Sequence, residues 1–130
     1  MSKKSWSIIF IEDEILISLA LRALLINKFS STFNYIVSKN FNLAEKIIDE
    51  NYSKNKNIIL VCDYNISGET ADNFLININT KYPDIVKILL SAHQNPDILN
   101  KKVKILKFIK KPWSEHEIIN LIENVVSEDK

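Results

Sequence analysis

Residues 58–68 read IILVCDYNISG, an apolar run that ends in Asp63 and is followed by a short polar loop containing Gly68. A continuous run of β-branched and aliphatic residues is typical of a strand buried on both faces of a parallel sheet. Gly68 is the only glycine of the chain. Glycine accepts the positive φ that a sharp turn can require, so we predict a strand ending near Asp63 and a positive φ at Gly68.

Four more runs of this kind occur along the chain, and each of the five is followed by a segment of helical period. The predicted strands are 7–12, 34–38, 57–62, 86–91 and 104–109, and the predicted helices are 14–29, 42–51, 70–81, 96–101 and 114–126. Ser114 and Glu117 form a capping-box pattern that begins the last helix. This alternation predicts an α/β fold with a doubly wound, five-stranded parallel sheet and five helices.

Composition restricts the class of protein. The chain has 130 residues, 46% of them hydrophobic and 25% charged, which predicts one globular domain over 1–130 with no output domain. A net charge of +1 gives no general attraction to nucleic acid or to anionic membranes. A single cysteine favours a reducing compartment, and the longest apolar tract, 15–26, is too short to span a membrane. We therefore predict a cytoplasmic protein without direct nucleic-acid contact or membrane insertion.

Polar side chains stand at the predicted carboxyl ends of the strands. They are Glu12, Asp13, Asp63, Ser91 and Lys111. Ligands of open parallel sheets bind beyond these strand ends, so the five side chains are expected to meet there. Carboxylates in close contact repel by about 4 kcal/mol per pair at an effective dielectric near 20, and a hard cation such as Mg²⁺ relieves this repulsion. This set of groups indicates phosphoryl transfer, which uses carboxylates, a cation, a lysine and a hydroxyl to position and neutralise the transferring group.

Over nearly its whole length the chain resembles the receiver domains of two-component response regulators. The motifs that carry the resemblance are IIFIEDE, ILVCDYNISG, ILLSAH and FIKKPW, in that order and each at a strand end. The resemblance implies a flavodoxin-like sheet with strand order 2-1-3-4-5. It departs from the family's usual pattern at Ser67 and Ala71, where proline and glycine are common, so a different loop path after Asp63 is expected.

The resemblance also implies a role for each site residue. Asp63 would be the phosphoacceptor. The Mg²⁺ ligands would be Asp13, Asp63, the Asn65 carbonyl and, through water, Glu12. Ser91 and Lys111 would contact the phosphoryl group, and Phe108 would be an aromatic switch. The resemblance further implies a cis peptide before Pro112. We also expect Asn65 and His93 to tune hydrolysis of the acyl phosphate.

The function implied is that of a response regulator in a phosphorelay. Asp63 would accept a phosphoryl group from a phosphohistidine of a sensor histidine kinase or histidine phosphotransfer protein, with Mg²⁺ as cofactor. The phosphorylated domain would change conformation and signal to a downstream protein partner, with a phosphorylation-dependent dimer as a further expectation. Such a phosphoacceptor, even with autodephosphorylation, is not an enzyme that turns over a free substrate.

The first predicted helix is apolar over most of its surface. We predict a core face of Leu16, Leu19, Ala20, Ala23 and Leu24, widened by Ile17, Leu21 and Leu25. The rim of this helix is the expected docking surface for the helical domain of the kinase.

Three other functions use some of the same chemical groups. A phosphatase of the haloacid dehalogenase type also uses an aspartate nucleophile and Mg²⁺, but it needs an acid two residues later, where this chain has Asn65. A flavodoxin-like nucleotide binder needs a Gly-, Ser- or Thr-rich phosphate loop after the first strand, where this chain is acidic. A receiver-like interaction module without phosphotransfer is the third, and the complete set of chemical groups argues against it.

Overall fold

The structure, a computed structural model, describes residues 5–29, 33–92, 103–111 and 114–127. Seven strands are present in these ranges: β1 Trp6–Ile11, β2 Phe33–Ser38, β3 Ile58–Asp63, β4 Asn65–Ile66, β5 Glu69–Thr70, β6 Val86–Ser91 and β7 Lys107–Lys110. The helices of the same ranges are α1 Ile15–Phe29, α2 Phe41–Lys54, α3 Asp72–Lys81 and α4 Glu115–Ser127. The predicted fifth helix, 96–101, lies outside the described residues.

Five strands form one parallel sheet in the order β2-β1-β3-β6-β7. This differs in numbering from the predicted 2-1-3-4-5 because two short strands, β4 and β5, precede β6 in the chain and pair only with each other. The α/β architecture with five parallel strands is confirmed. Because all five strands run the same way, the carboxyl ends of β1, β3, β6 and β7 lie along one edge of the sheet.

The sheet is covered on both faces by apolar layers. On one face Phe10, Val61 and Leu90 pack with α1 and α4, and on the other Leu60, Cys62 and Leu89 pack with α2 and α3. The predicted cap of the last helix is present, since the Glu117 amide donates to Ser114 Oγ at 3.2 Å. Within the described ranges, no helix has the length and the hydropathy needed to cross a membrane.

Most of the predicted core face of α1 is wrong, although Leu24 packs against the core as predicted. Leu16, Leu19, Ala20 and Ala23 are exposed, and the residues facing the sheet are Ser18, Leu21 and Leu25. Apolar residues occur on most sides of α1, so the hydrophobic period of the sequence does not show which side of the helix faces the sheet. Ser18 can face the core because its hydroxyl donates to the Ile15 carbonyl at 2.9 Å.

A short β-hairpin of β4 and β5, joined by a two-residue turn, follows β3 and was not predicted. Ser67 and Gly68 form its turn with φ of 53° and 83°, the two positive values that a type I′ turn requires. The predicted positive φ at Gly68 is confirmed. Because Glu69–Thr70 belongs to β5, helix α3 begins at Asp72 rather than at the predicted residue 70.

β6 contains a buried lysine that the sequence pattern did not reveal. Lys87 is 1% exposed, and its Nζ donates to the Ile85 carbonyl at 2.9 Å. Burial, and after it the neighbouring charge of Lys104, lower the pKa of Lys87 to about 8, against the opposing effect of Asp84. A charged ammonium is therefore poorly accommodated at this position in the sheet.

Candidate functional site

Three carboxylates meet at the carboxyl edge of the sheet. Asp63 ends β3, and Glu12 and Asp13 follow β1, the neighbouring strand. One carboxylate oxygen from each of the three lies within 4.8 Å of the other two. Asp63 is buried at 4% exposure and Asp13 is exposed, so the cluster opens from the interior toward solvent.

Lys111 supplies positive charge to this cluster. It directly follows β7, and its Nζ donates to Asp63 Oδ2 at 2.7 Å. Partial burial by itself lowers the pKa of Lys111, but the hydrogen bond and charge of Asp63 outweigh it, and the pKa is raised. Lys111 therefore remains an ammonium beside the Asp63 carboxylate.

The buried carboxylate of Glu12 is only partly satisfied by hydrogen bonds. It is 1% exposed; its Oε1 accepts from the Glu14 amide at 3.2 Å, and its Oε2 has no hydrogen-bond partner among the described residues. Burial and then the charge of Asp63 raise its pKa to about 7. A buried carboxylate oxygen without a partner indicates a place for an ordered water or a cation.

The donor set of this cluster fits Mg²⁺. Three hard carboxylate ligands lie close together, one of them carries an unpaired oxygen, and the site opens to solvent, which allows the retained waters that Mg²⁺ prefers. Asn65 is next to the cluster, with its amide donating to Asp63 Oδ1 at 3.3 Å. The three carboxylates lie together, with Asn65 adjacent through its amide, and the ligand roles of these residues stay predictions.

Ser91 lies at the same edge of the sheet, at the end of β6, and Phe108 stands within the neighbouring strand β7. Ser91 ends β6 and is buried, and its carbonyl accepts from the Lys111 amide at 2.7 Å, so the ends of the two strands are joined. Phe108 is half-buried against the core layer of α2 and α3. Its role as a switch stays a prediction, and His93 and Pro112 lie outside the described residues.

Cys62 has no part in this chemistry. Burial raises the pKa of its thiol well above the usual value, and the charges of Asp63 and Glu12 raise it further. The thiol donates to the Asp63 carbonyl at 3.3 Å. Cys62 is therefore an unreactive core residue beside the phosphoacceptor candidate.

The sequence interpretation missed one residue near the carboxylates. Ser67, at the tip of the hairpin, places its Oγ 3.4 Å from Asp13 Oδ2. The pair Ser67-Gly68 between two short extended pairs resembles the two-residue loops of β-hairpins, and this signal could have located it.

A solvent-open cleft of about 590 Å³ runs from the carboxylates toward α1 and α4. Leu16, Ile17 and Ala20 form its apolar wall, and Glu12, Glu14, Glu115 and Lys111 contribute its charged groups. Leu16 is 83% exposed, so one side of this cleft is an uncovered apolar helix surface.

Solved structures identify the fold. The receiver domain of HemR from Leptospira biflexa has a TM-score of 0.78 at 19% identity, with 95% of each chain covered. The beryllofluoride-activated NtrC4 receiver domain dimer has 0.76 at 24%, covering 95% of this chain and 98% of that one. For the chemotaxis response regulator CheY4 of Vibrio cholerae the TM-score is 0.72 at 14% identity, with coverages of 94% and 99%. The chain has the fold of response regulator receiver domains.

One curated protein matches part of the sequence. The hydrogenase transcriptional regulatory protein HoxA of Cupriavidus necator is 27% identical over 71 residues, or 52% of this chain. The match spans only 15% of that protein's length. No family model matches the sequence. The predicted resemblance to receiver domains is confirmed.

Proposed function

We propose that the chain is a response regulator receiver domain that accepts a phosphoryl group on Asp63 from a phosphohistidine of a sensor histidine kinase or histidine phosphotransfer protein. The observation that carries this proposal is the position of the Asp63 carboxylate. It is buried at the strand end, bound to Lys111 at 2.7 Å and clustered with Glu12 and Asp13. Asp63 is the residue at which a nucleophilic oxygen, a lysine and a cation site coincide.

In the proposed reaction, one carboxylate oxygen of Asp63 attacks the phosphorus of the phosphohistidine. A P–O bond forms, the P–N bond breaks and the imidazole leaves with its electron pair, giving a mixed anhydride on Asp63. Lys111 is within reach of the transferring oxygens and offsets their charge. Mg²⁺, held by Asp13, Asp63, the Asn65 carbonyl and, through water, Glu12, would neutralise the remaining negative charge.

The new phosphoryl group adds nearly two negative charges where one carboxylate stood. Lys111 then has a stronger anionic partner, and the Ser91 hydroxyl gains an acceptor nearby. Because the Lys111 amide is bonded to the Ser91 carbonyl, a shift of one strand end is expected to move the other. A differential contact energy of a few kcal/mol would be enough to change the preferred conformation, with Phe108 as the proposed aromatic switch.

The chemistry is tested with acetyl phosphate as a small-molecule phosphodonor. We expect the wild-type protein to gain the mass of one phosphoryl group in the presence of Mg²⁺, and to gain none when EDTA replaces Mg²⁺. The adduct should survive acid and be lost in base, as an acyl phosphate is. Intact-mass spectrometry provides the measurement, and an unmodified mass at millimolar Mg²⁺ would overturn the proposed function.

The exposed face of α1 supports a docking role for this helix. Ile15, Leu16 and Leu19 are uncovered apolar residues, and Leu16 borders the cleft that Lys111 also lines. An apolar surface that shares a cleft with Glu12 and Lys111 suits a helical phosphodonor domain, whose phosphohistidine must reach Asp63.

Leu16→Glu is therefore expected to slow transfer from a phosphohistidine donor protein at least about tenfold, because one charge is placed in an apolar contact. Labelling by acetyl phosphate, which needs no docking, should stay at the wild-type rate. Leu106→Glu is the matched control, since Leu106 is an exposed leucine before β7 rather than on α1. Equal transfer rates for Leu16→Glu and the wild type would contradict docking on α1.

The remaining features of the proposed function are inferred from the sequence. They are a cytoplasmic location, a single domain over 1–130, signalling to a downstream protein without direct nucleic-acid contact, and dimerisation on phosphorylation. The phosphoacceptor is proposed to undergo one transfer and one hydrolysis per signal rather than to turn over a free substrate.

A further inference from the structure

The hairpin of β4 and β5 brings a serine hydroxyl to the acidic cluster from a distant part of the chain. Ser67 Oγ lies 3.4 Å from Asp13 Oδ2, and the two residues belong to the loops after β3 and β1 respectively. Only the hydroxyl can donate in this pair, since an ionised carboxylate accepts. The contact is long and exposed, so its strength alone would be modest.

The position of this hydroxyl is set by a well-anchored loop. At the base of the hairpin the Tyr64 amide donates to the Leu90 carbonyl and the Ala71 amide donates to the Tyr64 carbonyl, both at 2.8 Å. Tyr64 Oη also donates to the Asp72 carboxylate at 2.9 Å, and Thr70 Oγ1 donates to the same group at 3.2 Å. The hairpin is thus tied to β6 and to the start of α3, and its tip is directed at Asp13.

Ser67 adopts a conformation that serine does not favour. Its φ of 53° lies in the left-handed region, which costs a non-glycine residue about 1 kcal/mol or more. Glycine, asparagine or aspartate would occupy this turn position with less strain. Strained backbone of this kind is concentrated at functional sites, and at the tip of this hairpin the serine side chain meets a carboxylate.

We propose that Ser67 is a positioning residue of the divalent-cation site: its hydroxyl holds one oxygen of Asp13 and thereby orients the carboxylate toward the ion. The proposal rests on the proposed function, because the ion is the Mg²⁺ of the phosphoryl transfer. A separate observation also points to a cation here, since the buried Oε2 of Glu12 has no partner among the described residues. Asp13 is the exposed member of the cluster and so has the most orientational freedom to lose.

Three substitutions distinguish the effect of the Ser67 hydroxyl on Mg²⁺ affinity from the effect of the turn conformation. Ser67→Gly removes the hydroxyl and relieves the strained φ, Ser67→Ala removes the hydroxyl and keeps the strain, and Ser67→Asn keeps a hydrogen-bond donor in a residue that tolerates positive φ. The measurement is the dissociation constant for Mg²⁺ alone, by isothermal titration calorimetry, on the unphosphorylated full chain. Melting temperatures in EDTA report the stability of each variant without the ion.

Groups that orient metal ligands typically change affinity by about 10- to 100-fold, and for this long, exposed contact we expect about three- to tenfold. Ser67→Gly and Ser67→Ala should both bind Mg²⁺ more weakly by this factor, although Ser67→Gly should melt in EDTA at or above the wild-type temperature. Ser67→Asn should retain the wild-type affinity within about twofold, because its amide can replace the hydroxyl donor.

Two results would overturn the role of Ser67 and leave the proposed function intact: a Ser67→Gly variant with the wild-type Mg²⁺ affinity, or an equal loss in all three variants, which would assign the effect to the conformation of the hairpin. A wild-type protein that binds no Mg²⁺ would overturn both. The two proposals can therefore fail separately.

Discussion

Asp63→Asn is expected to abolish the acyl-phosphate adduct completely under conditions in which the wild-type protein is fully modified by acetyl phosphate and Mg²⁺. The carboxamide has nearly the shape of the carboxylate but lacks its charge and its nucleophilic oxygen. Its carbonyl can still accept from Lys111 Nζ, which lies 2.7 Å from Asp63 Oδ2, so the strand end should keep its arrangement. The variant thus removes the chemistry with little change to the fold.

A matched control tests the specificity of this loss. Asp84→Asn makes the same chemical change at an exposed aspartate ahead of β6, and should leave the adduct and its Mg²⁺ dependence unchanged. Peptide mapping of the modified wild-type protein should find the phosphoryl group on the segment that contains Asp63. An adduct of normal yield on Asp63→Asn would mean that another group is the phosphoacceptor.

Lys87→Met is expected to stabilise the folded protein by about 3 kcal/mol at pH 7. Folding lowers the pKa of Lys87 from 10.5 to about 8, and each pKa unit corresponds to about 1.4 kcal/mol. Because Lys87 is 1% exposed, solvent screening does little to reduce this penalty. Methionine has a similar length and no charge, so it removes the penalty without leaving a large cavity.

The free energy of unfolding should also depend on pH because of Lys87. A lysine whose folded pKa is lowered loses its proton more readily in the folded state, so the stability of the wild type is lowest below pH 8 and rises between about pH 8 and 10.5. Lys87→Met should lack this rise, and its advantage should shrink as the pH increases. Urea unfolding at pH 7 and pH 9.5 measures both proteins, with the exposed Lys46→Met as control. Equal free energies of unfolding for Lys87→Met and the wild type at pH 7 would contradict the buried charge.

The sequence predicted the parts of the fold that depend on strand ends. Parallel strands bring their carboxyl ends to one edge whatever the loops do, which is why Glu12, Asp13, Asp63 and Lys111 were expected together and are found together. Their proximity follows from topology. Their chemical roles stay predictions.

Other features could not be read from local pattern. Helix α1 is apolar on several sides, so periodicity did not distinguish the face of Leu21 from that of Leu16. Lys87 stands within an apolar run, and its burial depends on neighbours in space. Two-residue strands such as β4 and β5 are too short to show any period, and only their turn residues mark them.

The single glycine at the hairpin turn affects the conformational entropy of the unfolded state. Gly68 is the single glycine among 130 residues, where an average protein has about 7% glycine. Exchanging a glycine for a residue that fits the native backbone typically stabilises a protein by about 0.4–1 kcal/mol, because the unfolded ensemble has fewer conformations to lose. By confining that freedom to one turn, the sequence reduces the entropy its backbone gives up on folding.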